Sequence, residues 1–242
     1  MIQRYYSLVV NETAESNVAH IYIFGDIVVP EYEWLESDTS GFSLSKDIKG
    51  LDVDAINVHI NSYGGHASEG IAIYNILRQH KAKVTTICEG FACSAASVVF
   101  MAGDVRIMQP ASLLMVHHAL NGAVGNPNEL RKAADDLEII SDTIANAYRE
   151  HMLISEDELQ ALLDGETWIP PKEALEYGFA TLIAQSGTMS KVAASVRDSL
   201  MMRVLGRVQQ PAQTLKPEEV IPLVNKPLNI LGTLLGERRK NE

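Results

Sequence analysis

The feature that most constrains this 242-residue chain is a repeated order of apolar strand, glycine-containing turn and helix in its first half. Residues 18–24, 56–61 and 84–88 are rich in β-branched residues and predict three strands, with Glu89-Gly90 ending the third. Helical patterns follow at 71–80 and 98–102, and a shorter one lies at 43–48. This alternation predicts βαβ units around a mostly parallel sheet, an α/β fold.

The second half predicts two short strands, at 105–108 and 113–117, and then a long helix over about 126–152. Asn126 is a good N-cap and Pro127 suits the first helical position. Ser155 and Glu158 form a capping box for the next helix. A strand at 167–169 precedes a last helix, which begins at the proline pair 170–171 and which Gly178 ends.

Past residue 185 the composition of the sequence changes, and prolines fall at 211, 217, 222 and 227. We expect an N-terminal extension over 1–17, one domain over 18–185, and a partly ordered appendage over 186–242 with one helix near 190–208. Residues 1–185 hold 11 Lys and Arg against 26 Asp and Glu, a balance of −15, while the appendage has 9 against 5, a balance of +4. This excludes nucleic-acid binding by the domain on charge alone and suggests that the appendage docks on an acidic surface.

Composition excludes several other classes of protein. Hydrophobic residues make up 46% and charged residues 21%, which argues against wholesale disorder. No apolar run reaches the roughly 18–20 residues of a membrane span, and the start has no secretory signal, so we expect a cytoplasmic protein. The two cysteines, Cys88 and Cys93, are too few for a disulfide framework or a structural zinc site and predict buried free thiols.

Three motifs have the residue types of a catalytic site. The first is the Gly64-Gly65 turn between a strand and a helix, where bare backbone N–H groups can approach a ligand. The second, residues 90–97, puts Ser94 and Ser97 at a strand-to-helix junction, and the local pattern does not choose between them. The third is His117-His118 at the end of an apolar strand, where at most one ring faces a nucleophile and acts as its base. Taken singly, each motif is more often structural.

Together these motifs resemble the ClpP family of serine peptidases, over roughly residues 18–185. The resemblance is carried by the runs 60–65, 71–74, 88–90, 92–95, 101–103, 115–117 and 173–178, in the family's order and near its spacing. It implies the ClpP/crotonase fold, a spiral of stacked βαβ units with a projecting long helix, and a homo-oligomeric ring. It implies no metal and no cofactor.

The resemblance also implies a role for each motif. In the ClpP family the catalytic serine lies 29 residues after the second glycine of the Gly-Gly turn, and this count from Gly65 selects Ser94. The general base of the family falls on His117. The N–H groups of Gly65 and Ala95 would form the oxyanion hole. The acid falls on Glu166 in an ungapped alignment, with Asp164 as the alternative; a glutamate can orient a histidine as an aspartate does.

Some features differ from ClpP and resemble the proteases that tailed phages and prophages use in head maturation. We find no counterpart of the ClpP pore-lining segment in residues 1–17, the stretch 28–50 is longer, and the appendage is an addition. We therefore expect capsid or scaffold proteins as substrates, in the host cytoplasm or the assembling prohead, with no membrane or nucleic-acid partner. Three alternatives stay open: an ATP-dependent housekeeping ClpP subunit, a crotonase-fold acyl-CoA enzyme, and a non-enzymatic assembly protein.

Overall fold

The computed structural model describes residues 9–12, 17–35 and 37–185. The strands of this part are β1 Val9–Glu12, β2 Asn17–Ile23, β3 Ala55–Ser62, β4 Lys83–Cys93, β5 Val105–Met108, β6 Leu113–Val116, β7 Thr167–Ile169 and β8 Leu182–Ile183. The helices are α1 Gly41–Ile48, α2 Ala67–Gln79, α3 Ala95–Phe100, α4 Pro127–Arg149, α5 Glu156–Asp164 and α6 Pro171–Tyr177, with a 3₁₀ turn at Pro30–Tyr32. The appendage over 186–242, its helix near 190–208 and most of the expected N-terminal extension lie outside the described residues.

The strands form one mixed sheet in the order β1-β2-β3-β4-β5-β8, and β6 pairs with β4 and β7. The pairs β2–β3, β3–β4, β4–β5, β4–β6 and β5–β8 are parallel, while β1–β2 and β6–β7 are antiparallel. The mostly parallel α/β sheet is therefore confirmed. Strands β1 and β8 were not predicted, since four and two residues give too little periodicity to read.

Strand β4 corrects one prediction, because Glu89-Gly90 does not end it. The strand continues to Cys93 and changes its neighbour at that point: residues 85–88 pair with β5, and residues 91–93 pair with β6. Against β3 the register skips two residues of β4 there, and the Asn61 side-chain oxygen accepts the Phe91 N–H at 3.2 Å. Glu89-Gly90 thus marks an irregularity within a strand. The strand continues past it, so that Cys93 is its last residue and Ser94 follows at its carboxyl end.

The core lies under one face of the sheet, which is covered by helices. Its fully buried side chains include Ile21, Ile60, Leu77, Val99 and Phe100, from β2, β3, α2 and α3. Burial of such aliphatic and aromatic side chains contributes about 1.5–3 kcal/mol each. Helix α3 is buried along its whole length, so the segment that follows Ser94 is held by close packing.

Helix α4 starts and projects as the sequence predicts. The Asn126 side chain accepts the N–H groups of Asn128 and Glu129, and the Glu129 carboxylate accepts the Asn126 N–H, a complete capping box. The buried side chains of α4 fall between Ser141 and Tyr148, while its first fourteen residues are exposed or half-buried. The helix therefore anchors in the core by its C-terminal half and extends away by its N-terminal half. Ser155 and Glu158 likewise form the predicted capping box of α5.

Candidate active site

Ser94 lies at the junction of β4 and α3 in a strained backbone conformation. Its φ is 53° and its ψ is −124°, a region that side-chain-bearing residues rarely adopt. Its N–H donates to the Met115 carbonyl at 2.9 Å, and its own carbonyl accepts from the Ser97 N–H at 2.9 Å. Such strain costs of order 1–3 kcal/mol and persists only where the surroundings hold it. The strained turn presents the Ser94 side chain, half-buried, at the carboxyl edge of the sheet.

The Gly64-Gly65 turn packs directly against this junction. Gly64 has a φ of 94°, and a Cβ there would lie 2.4 Å from the Cys93 carbonyl oxygen and 2.9 Å from the Ala95 nitrogen. Gly65 has a φ of 138°, and a Cβ there would lie 2.1 Å from the Ile27 carbonyl oxygen. Both positions therefore require glycine for two reasons, positive φ and close backbone contact.

Gly65 and Ala95 both line the cleft beside Ser94. The bridge between Ile27 and the turn uses the N–H of Ile27, which donates to Gly64, and the N–H of His66, which donates to Ile27. The Gly65 N–H has no part in that bridge. Ala95 is the first residue of α3, where the helix itself provides no acceptor for the N–H. Neither N–H is therefore used by the bridge or by the helix, and both belong to residues that line the cleft with Ser94.

His117 is brought to Ser94 by parallel pairing of β4 with β6. Cys93 pairs with Met115, so the two carboxyl ends lie side by side, and the His117 Nε2 lies 2.7 Å from the Ser94 Oγ. Burial lowers the pKa of His117 below its usual value, the charge of Glu166 raises it and that of His118 lowers it, with burial the largest effect. A half-buried imidazole that is neutral near pH 7 is suited to accept a proton from the hydroxyl.

Glu166 and Asp164 lie in the same turn but face different histidines. Val116 pairs with Thr167 in the antiparallel β6–β7 ladder, which brings Glu166 opposite His117. Asp164 instead binds the Nε2 of His118 at 2.9 Å. Glu166 has a positive φ of 47° and an exposed side chain. Within the described ranges, no hydrogen bond joins its carboxylate to His117, so its influence there is electrostatic.

The cleft in front of these residues has a volume of about 540 Å³. Gly65, Ser94, Ala95 and His117 all line it. Its apolar wall is formed by Ile71, Val98, Leu137, Ile140, Ile144 and Tyr148. A site of this kind combines a few convergent polar groups with an apolar surface that can bind a side chain of similar character.

The two cysteines are not competing nucleophiles. Both are free and buried, as expected. Burial raises the pKa of Cys88 to about 12 and that of Cys93 to about 11, so neither forms a thiolate near neutral pH. In the part of the chain that the structure covers, no three or more His, Cys, Asp or Glu side chains cluster as metal ligands would.

Comparison with known proteins decides the family. The Clp protease family profile matches residues 49–187, more than half of the chain. This chain belongs to the Clp protease family.

Individual members of the Clp protease family agree with this assignment. The ATP-dependent Clp protease proteolytic subunit of Deinococcus radiodurans is 37% identical over 125 residues, 51% of this chain and 61% of that protein. The subunit of the same name from Bacteroides fragilis is 30% identical over 176 residues, 69% of this chain and 85% of that protein. A solved ClpP1 variant from Listeria monocytogenes superposes with a TM-score of 0.59 at 21% identity, covering 69% of this chain and 92% of that one. The superposition supports the ClpP/crotonase-type fold.

Two features of this Clp-family site were not found from the sequence. One is the contact of Gly64 with the Ser94 junction, which needs the register of β3 against β4. The other is the hydrogen bonding of Ser97, a residue that the local pattern left open as a nucleophile. Ser97 is buried. Its Oγ donates to the Ser94 carbonyl at 2.6 Å and lies 2.8 Å from the Tyr148 hydroxyl.

Of the described residues, none belongs to a helix long and apolar enough to cross a membrane.

The Gly64 contact yields a prediction about stability and geometry. Gly64→Ala should destabilise the protein by about 2 kcal/mol or more, because the new Cβ meets backbone atoms on both sides of Ser94 at a positive φ. Gly122→Ala is a matched control, since a Cβ there would meet nothing within 4 Å. Chemical denaturation of both variants measures the difference. Equal stability of the two variants would contradict the close contact.

Proposed function

We propose that the chain is a serine endopeptidase in which Ser94 is the nucleophile, His117 the general base and Glu166 the acid. The observation that carries the proposal is the 2.7 Å contact between the Ser94 Oγ and the His117 Nε2 at a strained strand-to-helix junction. The N–H groups of Gly65 and Ala95 are proposed as the oxyanion hole. Membership of a peptidase family and the apolar cleft support peptide substrates.

The proposed reaction proceeds by acyl transfer. His117 takes the Ser94 proton as the Ser94 Oγ attacks the peptide carbonyl, and the negative charge that develops on oxygen is stabilised by the two N–H groups. The C–N bond then breaks, and His117 returns the proton to the departing amine. Water, deprotonated by His117, hydrolyses the ester on Ser94 and restores the hydroxyl. The charge of Glu166 stabilises the imidazolium that forms in both steps.

Reaction with a fluorophosphonate probe tests the nucleophile. The native protein should be labelled at Ser94, and Ser94→Ala should lose both labelling and peptidase activity while keeping its fold, because one small hydroxyl is removed. Ser97→Ala keeps the nucleophile and should still be labelled. Mass spectrometry of the labelled peptide identifies the residue, and a label on Ser97 would overturn the assignment.

The pH profile tests the base and the acid together. Because burial lowers the pKa of His117, the acid limb of the ester-hydrolysis profile should have its midpoint below the usual 6.5 of histidine. Glu166→Gln removes the charge that raises this pKa, so the midpoint should move to still lower pH, and the plateau rate should fall by up to about 10⁴-fold.

Asp164→Asn is the matched control for Glu166→Gln, since Asp164 binds His118. We expect a much smaller loss of rate in this variant. A larger loss in Asp164→Asn than in Glu166→Gln would transfer the role of the acid to Asp164.

For substrates and partners, we propose a homo-oligomeric ring that processes capsid or scaffold proteins in phage head maturation. The supporting observation is the charge distribution along the sequence, −15 over residues 1–185 against +4 over the appendage, which suits incorporation into an assembly. Within an assembly, substrates are concentrated, and weak recognition is sufficient without threading by an unfoldase. The names of the relatives, ATP-dependent Clp protease proteolytic subunits, favour the alternative of a subunit served by an ATPase.

Deleting residues 186–242 separates these two proposals. If the protein processes an assembly, the deletion should leave hydrolysis of a small peptide ester nearly unchanged and reduce processing of a co-expressed capsid or scaffold protein, and neither reaction should need ATP. Gel analysis of the processed partner, with and without ATP and an added unfoldase, measures this. Strict dependence on both additions, with the appendage dispensable, would favour the ATP-dependent alternative.

A further inference from the structure

Two buried hydroxyl groups form a chain that ends on the Ser94 backbone. The Ser97 Oγ lies 2.6 Å from the Ser94 carbonyl oxygen and 2.8 Å from the Tyr148 hydroxyl. Ser97 is 2% exposed and Tyr148 is 1% exposed. The Ser94 carbonyl only accepts, and the Ser97 hydroxyl has one hydrogen to give. Ser97 therefore donates to Ser94 and accepts from Tyr148, which fixes the direction of both hydrogen bonds.

These two hydrogen bonds fix the peptide group that follows the strained Ser94. The N–H of Ser94 is held by the Met115 carbonyl of β6, and its carbonyl is held by the N–H and the hydroxyl of Ser97. Bonds on both sides of Ser94 oppose relaxation of its φ of 53° and ψ of −124°. Consecutive hydroxyl bonds in a buried site also polarise and strengthen one another.

Tyr148 is itself held in place by Phe179, whose backbone is in turn bound by Arg106. Tyr148 lies on the buried half of α4, and its ring contacts the Phe179 ring edge-on with the centroids 5.6 Å apart. The Phe179 carbonyl accepts from the buried Arg106 Nε at 2.7 Å. Burial raises the pKa of Tyr148 to about 12, so the phenol remains a donor throughout the neutral range.

We propose that Ser97 and Tyr148 are positioning residues that hold the nucleophile: Tyr148 orients the Ser97 hydroxyl, and Ser97 fixes the Ser94 carbonyl. This inference rests on the proposed role of Ser94 and adds two residues that do not touch the substrate through their hydroxyls. Without the chain, Ser94 samples relaxed backbone conformations in which its Oγ no longer meets His117. A smaller fraction of the folded protein then has the Ser94 Oγ in contact with His117, and Ser94 reacts more slowly.

Another hydrogen bond of the protein provides a matched control for the loss of the bond from Ser97 to Ser94. The Thr86 Oγ1 donates to the Phe100 carbonyl at 2.6 Å, and Thr86 is fully buried. This bond has the same chemistry and burial as the bond from Ser97 to Ser94, but it ends at the opposite end of α3. Thr86→Val therefore removes an equivalent bond to α3 without touching the nucleophile.

The experiment measures the rate of fluorophosphonate labelling of the full chain in Ser97→Ala, Tyr148→Phe, the double variant and Thr86→Val. Chemical denaturation in parallel ensures that only folded protein is compared. Ser97→Ala and Tyr148→Phe should slow labelling about fivefold or more, and the double variant should be no slower than Ser97→Ala, because Tyr148 acts through Ser97. Thr86→Val should label within about twofold of the native rate at a similar loss of stability.

Two further measurements separate positioning from stability. In peptide ester hydrolysis, Ser97→Ala should lower kcat with KM nearly unchanged, and Ser97→Thr, which retains the hydroxyl, should recover most of the labelling rate. Native labelling rates in both single variants, or equal slowing in Thr86→Val, would overturn the inference while leaving the nucleophile assigned. Failure of native Ser94 to label would overturn the proposed function and this inference with it.

Discussion

The backbone contact between Gly64 and the Ser94 junction is the constraint on which the site depends. Because Gly64 has no side chain, the turn after β3 approaches Cys93, Ser94 and Ala95 so closely that a Cβ at Gly64 would lie 2.4–2.9 Å from their atoms. This close contact places the turn that carries Gly65 beside the first turn of α3, so Gly65, Ala95 and the strained Ser94 line one cleft. The contact is made by backbone atoms of neighbouring strand ends, and it therefore follows from the sheet register rather than from adaptable side chains.

Local burial outweighs the overall charge at the proposed base. A net charge of −15 over residues 1–185 would by itself favour protonated histidines. The pKa of His117 is nevertheless lowered, because loss of hydration at a half-buried ring exceeds the attraction of Glu166. The most exposed acidic side chains act through water and are screened within about 10 Å at ordinary ionic strength. The overall negative charge therefore does not decide the protonation state of His117, which stays neutral near pH 7.

The sequence predicts helix starts best, because a helix cap depends only on residues that are close together in the sequence. Asn126 and Pro127 predict the start of α4, and Ser155 with Glu158 predicts that of α5, because caps are local. Glu89-Gly90 misleads for the opposite reason, since a strand that changes partners keeps its conformation through a glycine.

The candidate site was predictable only in part, and for the same reason. The resemblance selects Ser94 and His117, and the structure brings them to 2.7 Å. The division of Asp164 and Glu166 between two histidines depends on the β6–β7 register, which the spacing does not contain. The link from Ser97 to Tyr148 spans 51 residues of sequence, and nothing local marks it.

Strand β4 pairs with β3 on one side and with β5 and then β6 on the other, and this has a consequence for the order of events during folding. Its last residue precedes Ser94, while Gly65, His117 and Glu166 arrive from three other strand ends spread over a hundred residues of chain. Pairings between such distant segments form late, because loop closure must precede them. Under the mechanism proposed above, a newly made or partly unfolded chain therefore has an ordinary Ser94 hydroxyl that does not yet contact His117. Under that proposal, Ser94 becomes reactive only once these strand ends have come together, so the topology delays the proposed chemistry until the sheet has formed.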